Sequence, residues 1–508
     1  MEINIKNETL PLCSAVCRTK STFSTECDVI VPDTKPDIRK VLQVSARPKI
    51  TNTETRNGHI IVSGSVLFDI LYLAEGEEKC VTTITSSCEF SNLVKDSNIQ
   101  DSFLSFADVD VETLSCNIAN CRKISLKATL LTNIRVYSCQ SVEIVSEIEG
   151  ACTKKAHLVS DVICAHAQDS AVISDSFSLS AGKAPIEEIL KTDAIISESS
   201  VKVIDDKAIV KGTVRICVLY KSESKIEHAQ TEISFANVLE AQGIRDDMNC
   251  EHTVRVIDVS ACASKDAEGV LSVMDITTQI SMRVIARSSV EVSCVEDAYL
   301  PHGNLEYKSS PISVDCVETV INRNIDFREK ITLPDTLPPI DKVYQTVSRP
   351  FVKSCVSEGG LMKVSGYAEI YILYLSGDES IPVCSHKENV DFSFECDSPG
   401  CTLTPVASCK LLNMSYTIND ERTVEVRGSI ESEVQCIRTT ESDIIYTASV
   451  GEYAPVQRPS IIVSCVHSGR SLWDIAKEYL VSAEDILRAN ALESEEDILK
   501  GATLIIPK

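Results

Sequence analysis

Residues 60–73 read IIVSGSVLFDILYL, and the pattern returns twice, as AIVKGTVRICVLY at 208–220 and MKVSGYAEIYILYL at 362–375. Each copy has a glycine followed eight residues later by a tyrosine: Gly64/Tyr72, Gly212/Tyr220 and Gly366/Tyr374. The second and third copies lie 148 and 302 residues beyond the first. A second motif keeps that register. VPDTKPDIRKVL (31–42) matches LPDTLPPIDKVY (333–344) at 302, and at 148 it has eroded to LSAGKAPIEEIL (179–190), which lacks the Pro-Asp pair. Two motifs sharing one offset over about forty residues are the mark of tandem repetition.

The glycine-tyrosine element alternates apolar and polar residues, then becomes continuously apolar, as in a strand half exposed at its start and buried at its end. A glycine inside such a strand points to a bulge or a close backbone approach. The other element (Pro32, Asp33 and Pro36, then Pro334, Asp335 and Pro338) reads as a turn stiffened by proline. The spacing after it predicts a short helix, with Ile38, Val41 and Leu42 on one face. Ile186, Ile189 and Leu190 repeat that face, as do Ile340, Val343 and Tyr344. Further strand-like runs follow at 124–136, 271–286 and 424–437. The expected fold is mainly β: three tandem sandwich or barrel-like units over 1–150, 151–300 and 301–457, then a smaller module over 458–508.

The totals agree. A chain of 508 residues is too long for one core. Its 49 basic and 74 acidic residues leave a net charge of −25, which repels phosphate backbones and anionic lipid, so nucleic acid is not an expected partner. The start, MEINIKNETLPLC, is acidic and has no apolar core, so export is not expected. No transmembrane segment is expected either, since the apolar run VLFDILYLA breaks at Asp69.

Twenty-two cysteines occur without a CxxC pair; the tightest spacings are Cys13/Cys17, Cys116/Cys121 and Cys396/Cys401. A zinc site needs converging ligand pairs, so these cysteines read as small buried hydrophobes, and no metal or cofactor is expected. The eight histidines do not recur at equivalent places, and no nucleophile elbow, P-loop or HExxH motif appears. Asp33 and Asp335 recur, but beside proline in a turn, where capping accounts for them. No catalytic residue is assigned, and the chain reads as a non-enzyme.

Residues 461–508 have a different period. A strand, IIVSCV, leads to a helix capped by Ser471 with Leu472, Ile475 and Ala476 on its inner face. A second helix, capped by Ser482, presents Ala483, Ile486 and Leu487, and ATLIIP closes a βααβ unit. The cues SLWDIA, VSAEDILRAN and LIIP, in that order, resemble the LysM family, whose members most often bind N-acetylglucosamine polymers in a groove between two loops. Here Gly469-Arg470-Ser471 stands where the first loop usually has Gly-Asp-Thr or Gly-Asp-Ser, and Lys500-Gly501 where the second has Pro-Gly. Leu480 occupies a position where glycine commonly ends the helix. Long cations at both loops suit an acidic protein surface. The candidate contact set is Gly469, Arg470, Ser471, Trp473, Asn490, Lys500 and Gly501, with Trp473 read as a half-buried anchor.

The tandem turn and glycine-tyrosine motifs resemble the SPOCS domain of spore-forming Firmicutes. Three of them before a LysM domain are similar to the SipL-like family of clostridial coat-assembly proteins. That resemblance implies a scaffold for spore coat assembly at the forespore surface, in the mother-cell cytoplasm. It also implies the coat ATPase SpoIVA and other coat proteins as partners. The alternative is binding of peptidoglycan in the cell wall or spore cortex.

Overall fold

Alternating Val, Ile and Leu run along most of the chain, and they fold as long antiparallel strands. A computed structural model of the chain describes residues 4–76, 81–180, 183–223, 225–378, 380–398, 403–453, 459, 462–465, 470–498 and 503–507. The first unit consists of β1 (Ile5–Ile30), β2 (Ile38–Arg56), β3 (His59–Ala74), β4 (Val81–Lys95), β5 (Leu104–Asn120) and β6 (Lys123–Ile148). They form two three-stranded sheets, in the orders β1-β6-β5 and β2-β3-β4. The sheets enclose one core, to which Val29, Ile60, Phe68, Val109 and Leu126 contribute. The unit is therefore a β-sandwich.

The plan repeats in β7 (Cys152–Ser178), β8 (Glu188–Ile204), β9 (Lys207–Ser222), β10 (Lys225–Glu240), β11 (Asn249–Lys265) and β12 (Leu271–Tyr299). It repeats again in β13 (Leu305–Thr332), β14 (Ile340–Glu358), β15 (Leu361–Ser376), β16 (Val383–Asp397), β17 (Thr404–Asp420) and β18 (Thr423–Val450).

No helix follows the proline turn, and this corrects the expectation from spacing: β2, β8 and β14 occupy that place. β2 and β14 each carry two β-bulges near the start and a third further along, and β8, which begins later, carries one near its start and one further along. In β2 the bulges let Ile38, Val41 and Val44 face Ala74, Tyr72 and Ile70, alternate residues of β3. Three residues per step on one strand against two on the other imitates a helical period. The extra residues, Leu42, Leu190 and Tyr344, have no ladder partner and turn the other way. The packing consequence still follows: Ile340 is buried and Asp341 exposed. Ile340→Asp should lower stability by about 3 kcal/mol and Asp341→Lys by less than about 0.5, measured by denaturant melts of the full chain.

The bulge residues point to the feature the repeats share. Leu42, Leu190 and Tyr344 meet in one cluster with the equivalent triplet Leu71, Leu219 and Leu373. Elsewhere the long strands bring together Leu10, Leu158 and Ile312 with Ile144, Cys294 and Ile444. Equivalent residues thus converge from all three units, so the units surround a pseudo-threefold axis. Ion pairs join neighbours: Asp108 lies 2.6 Å from Arg283, and Arg135 2.8 Å from Glu251. Burial alone would push the Asp108 carboxyl up, but Arg283 and Arg255 outweigh it and hold it below the usual range. Tyr344 Oη donates to the Cys217 carbonyl across the units at 3.1 Å.

Candidate partner-binding site

The terminal module pairs β19 (Ile462–Cys465) with β20 (Thr503–Ile506) and carries α1 (Leu472–Tyr479) and α2 (Ala483–Ala489). Ser471 caps α1 through a reciprocal box: its hydroxyl accepts from the Asp474 N–H, and Asp474 accepts from the Ser471 N–H. Leu480 ends α1 in the left-handed conformation at φ 50°, in place of the usual glycine. Ser482 caps α2. Asn490 accepts from the Ile505 N–H and donates to the Ile486 and Ile505 carbonyls, tying α2 to β20.

The outer face of α1 is docked on the body, where the second unit passes into the third. Asp297 accepts from the Trp473 indole at 2.9 Å, from Lys477 at 2.5 Å and from the Tyr307 hydroxyl at 2.8 Å. Tyr299 packs edge-on against Trp473 with ring centroids 5.0 Å apart, and its hydroxyl donates to the Val481 carbonyl. The left-handed turn joins in, since the Leu480 carbonyl accepts from the His302 N–H at 3.1 Å. Burial would raise the Asp297 carboxyl, but hydrogen bonds from Lys477, Trp473 and Tyr307 outweigh it and hold it below the usual carboxylate range.

Of the contact set read from sequence, Trp473 is the half-buried anchor, and what it anchors is the module itself. Arg470 is exposed and paired with Glu478 of α1. Ser471 and Asn490 hold local structure, and Gly469, Lys500 and Gly501 lie outside the described residues. Sequence reasoning missed Asp297, Tyr299, Tyr307 and Lys477. A signal existed: Tyr299 ends its unit where the equivalent strand ends carry Glu149 and Ser449.

The repeat motifs are structural. Tyr72 donates to the Pro36 carbonyl at 2.8 Å and Tyr374 to that of Pro338 at 2.9 Å, so one motif latches the other. Arginines from the β5–β6 and β17–β18 hairpins complete the latch: Arg122 donates to the Val31 and Pro32 carbonyls, and Arg422 to those of Pro334 and Leu337. Asp33 and Asp335 are fully exposed and touch these arginines at 3.2 and 3.9 Å. In the eroded copy the latch is altered: Val270 stands where Arg122 would be, and the buried Tyr220 hydroxyl has no partner among the described residues. Ser222 reaches the Pro185 carbonyl instead.

Several cysteines are buried, and burial pushes the Cys17 and Cys217 thiols up to about 11, far from a reactive thiolate. Cys13 and Cys139 are cross-strand neighbours on β1 and β6, with Cα atoms 4.2 Å apart. Among the described residues no group of His, Cys, Asp and Glu is arranged to hold a metal ion. No helix among them is long and apolar enough to cross a membrane.

Residues 37–119 and 185–264 match the family model described as SipL, SPOCS domain, and residues 466–507 match that of the LysM domain. No curated protein and no solved structure matches the chain. The chain therefore carries SipL-type SPOCS domains and a LysM domain, both of them non-catalytic families, and this combination fits a sporulation coat protein.

Proposed function

We propose that this chain of SPOCS and LysM domains is a non-enzymatic scaffold for spore coat assembly on the forespore surface, in the mother-cell cytoplasm. Its units divide near residues 150, 300 and 457, and its LysM domain binds the coat ATPase SpoIVA, with other coat proteins as further partners. The observation that carries the protein-binding reading is the placement of Trp473. As the sole tryptophan of the chain, it is the strongest candidate for a sugar-stacking platform, and it is committed to Asp297 and Tyr299. Contact with a partner then falls to the loops around Gly469–Ser471 and Lys500–Gly501. Arg470 and Lys500 there offer charge to an acidic surface. The rival reading, a peptidoglycan or N-acetylglucosamine binder, is favoured by the LysM match itself.

Charge reversal at Arg470 and Lys500 in the full chain tests the assignment. The dissociation constant for purified SpoIVA should rise about tenfold, and added salt should weaken the parent chain more than the variant. An unchanged affinity would remove these loops from the contact.

A further inference from the structure

Between the three units lies an open cavity of about 700 Å³, in the size range of small-molecule sites. Its wall comes from the same alternate positions of three equivalent strands: 43, 45 and 47 of β2, 191, 193 and 195 of β8, and 345, 347 and 349 of β14. The opposite face of β2 sends Val44 and Ala46 into a sandwich core. The face toward the axis is polar; of the nine positions only Ile195 and Val347 are apolar.

The charge in the cavity runs against that of the chain. Lys40, Arg47, Lys191, Arg349 and Lys387 line it, in a protein of net charge −25. Lys191 is paired with Asp193 and Lys387 with Glu369, so Lys40 and Arg349 are the lining cations without an ion pair among the described residues. Arg47 and Arg349 are equivalent positions with different surroundings. Arg47 is paired with Asp69 at 2.8 Å. Tyr371 replaces that carboxylate beside Arg349, whose guanidinium sits 6.0 Å from the ring centroid and has no ion pair among the described residues. Deeper in, Arg47 Nε and Nη1, Gln43 Oε1 and Ser45 Oγ are buried with no hydrogen-bond partner among the described residues. These unmet polar atoms lie just beneath the cavity wall.

We propose that the axial cavity binds a small multivalent anion, a polycarboxylate or a phosphate compound. The exposed Lys40 and Arg349, which have no ion pair among the described residues, hold it at the rim, with the carboxylate-paired Arg47 and Lys191 in the wall behind. All three units contribute, so the ligand couples them to one another.

Titration calorimetry and thermal melts of the full chain with citrate and with tripolyphosphate test this, against sodium chloride at matched ionic strength. One or both anions should bind and raise the melting temperature above the salt control, and which of them does so identifies the chemistry. Arg349→Glu, at the exposed rim, should weaken binding about tenfold or more, while Lys202→Glu, an exposed cation outside the cavity, should change it less than about twofold. Lys40→Glu provides a second rim variant should Arg349→Glu alter the fold. The proposal is overturned if neither anion exceeds the salt control, or if Lys202→Glu weakens binding as much as the rim variants.

Discussion

Gly366→Ala is expected to lower the unfolding free energy by about 3 kcal/mol. Gly366 faces Val352 beside the bulge between Val352 and Ser354. A Cβ there would overlap the Phe351 carbonyl and fall 2.6 Å from Phe392 Cζ on the neighbouring strand. The arrangement is threefold: a Cβ at Gly64 would lie 2.7 Å from Phe90, and one at Gly212 2.7 Å from Phe235. The demand is for space, since none of these glycines has a left-handed φ. Gly377→Ala is the control, because a Cβ there meets nothing within 4 Å. Its denaturant midpoint should stay within error of the parent; equal losses at Gly366 and Gly377 would refute the close-approach account.

The second large effect is at Asp297. Replacing it by alanine removes the shared acceptor of the Trp473 indole, Lys477 and Tyr307, and should cost about 4 kcal/mol of docking free energy. Since Trp473 is the only tryptophan, its fluorescence reports docking directly, and emission should shift to the red in Asp297→Ala. The pH dependence follows from the depressed carboxyl. A group whose folded value lies below its ordinary one stabilises the docked state above that ordinary value, near 3.8, and loses the contribution as pH falls through the folded value. Emission should therefore hold steady from neutral pH to about 5 and shift only under stronger acid. A shift centred near neutral pH would point to another group.

Much of this was legible in the sequence, for identifiable reasons. The glycine-tyrosine motif is legible because each residue meets a fixed physical demand: the glycine clears a carbonyl and a phenyl ring, and the tyrosine latches the proline turn. The helix expected after that turn failed because two bulges give β2 a three-residue stride, and periodicity cannot separate that from a helix over so short a run. The convergence of Leu42, Leu190 and Tyr344 was out of reach, since each looks like ordinary core in its own copy. The docking of LysM was half visible. Trp473 could be read as an anchor from its apolar neighbours, but Asp297 lies 176 residues away, and separation of that kind leaves no local pattern.

Co-sedimentation of the full chain with SpoIVA polymers, run beside purified peptidoglycan, tests the scaffold reading most directly. The account predicts that the chain pellets with SpoIVA at roughly micromolar concentration and stays in the supernatant with peptidoglycan. Pelleting with peptidoglycan and not with SpoIVA would contradict it, and would make this LysM domain a glycan binder.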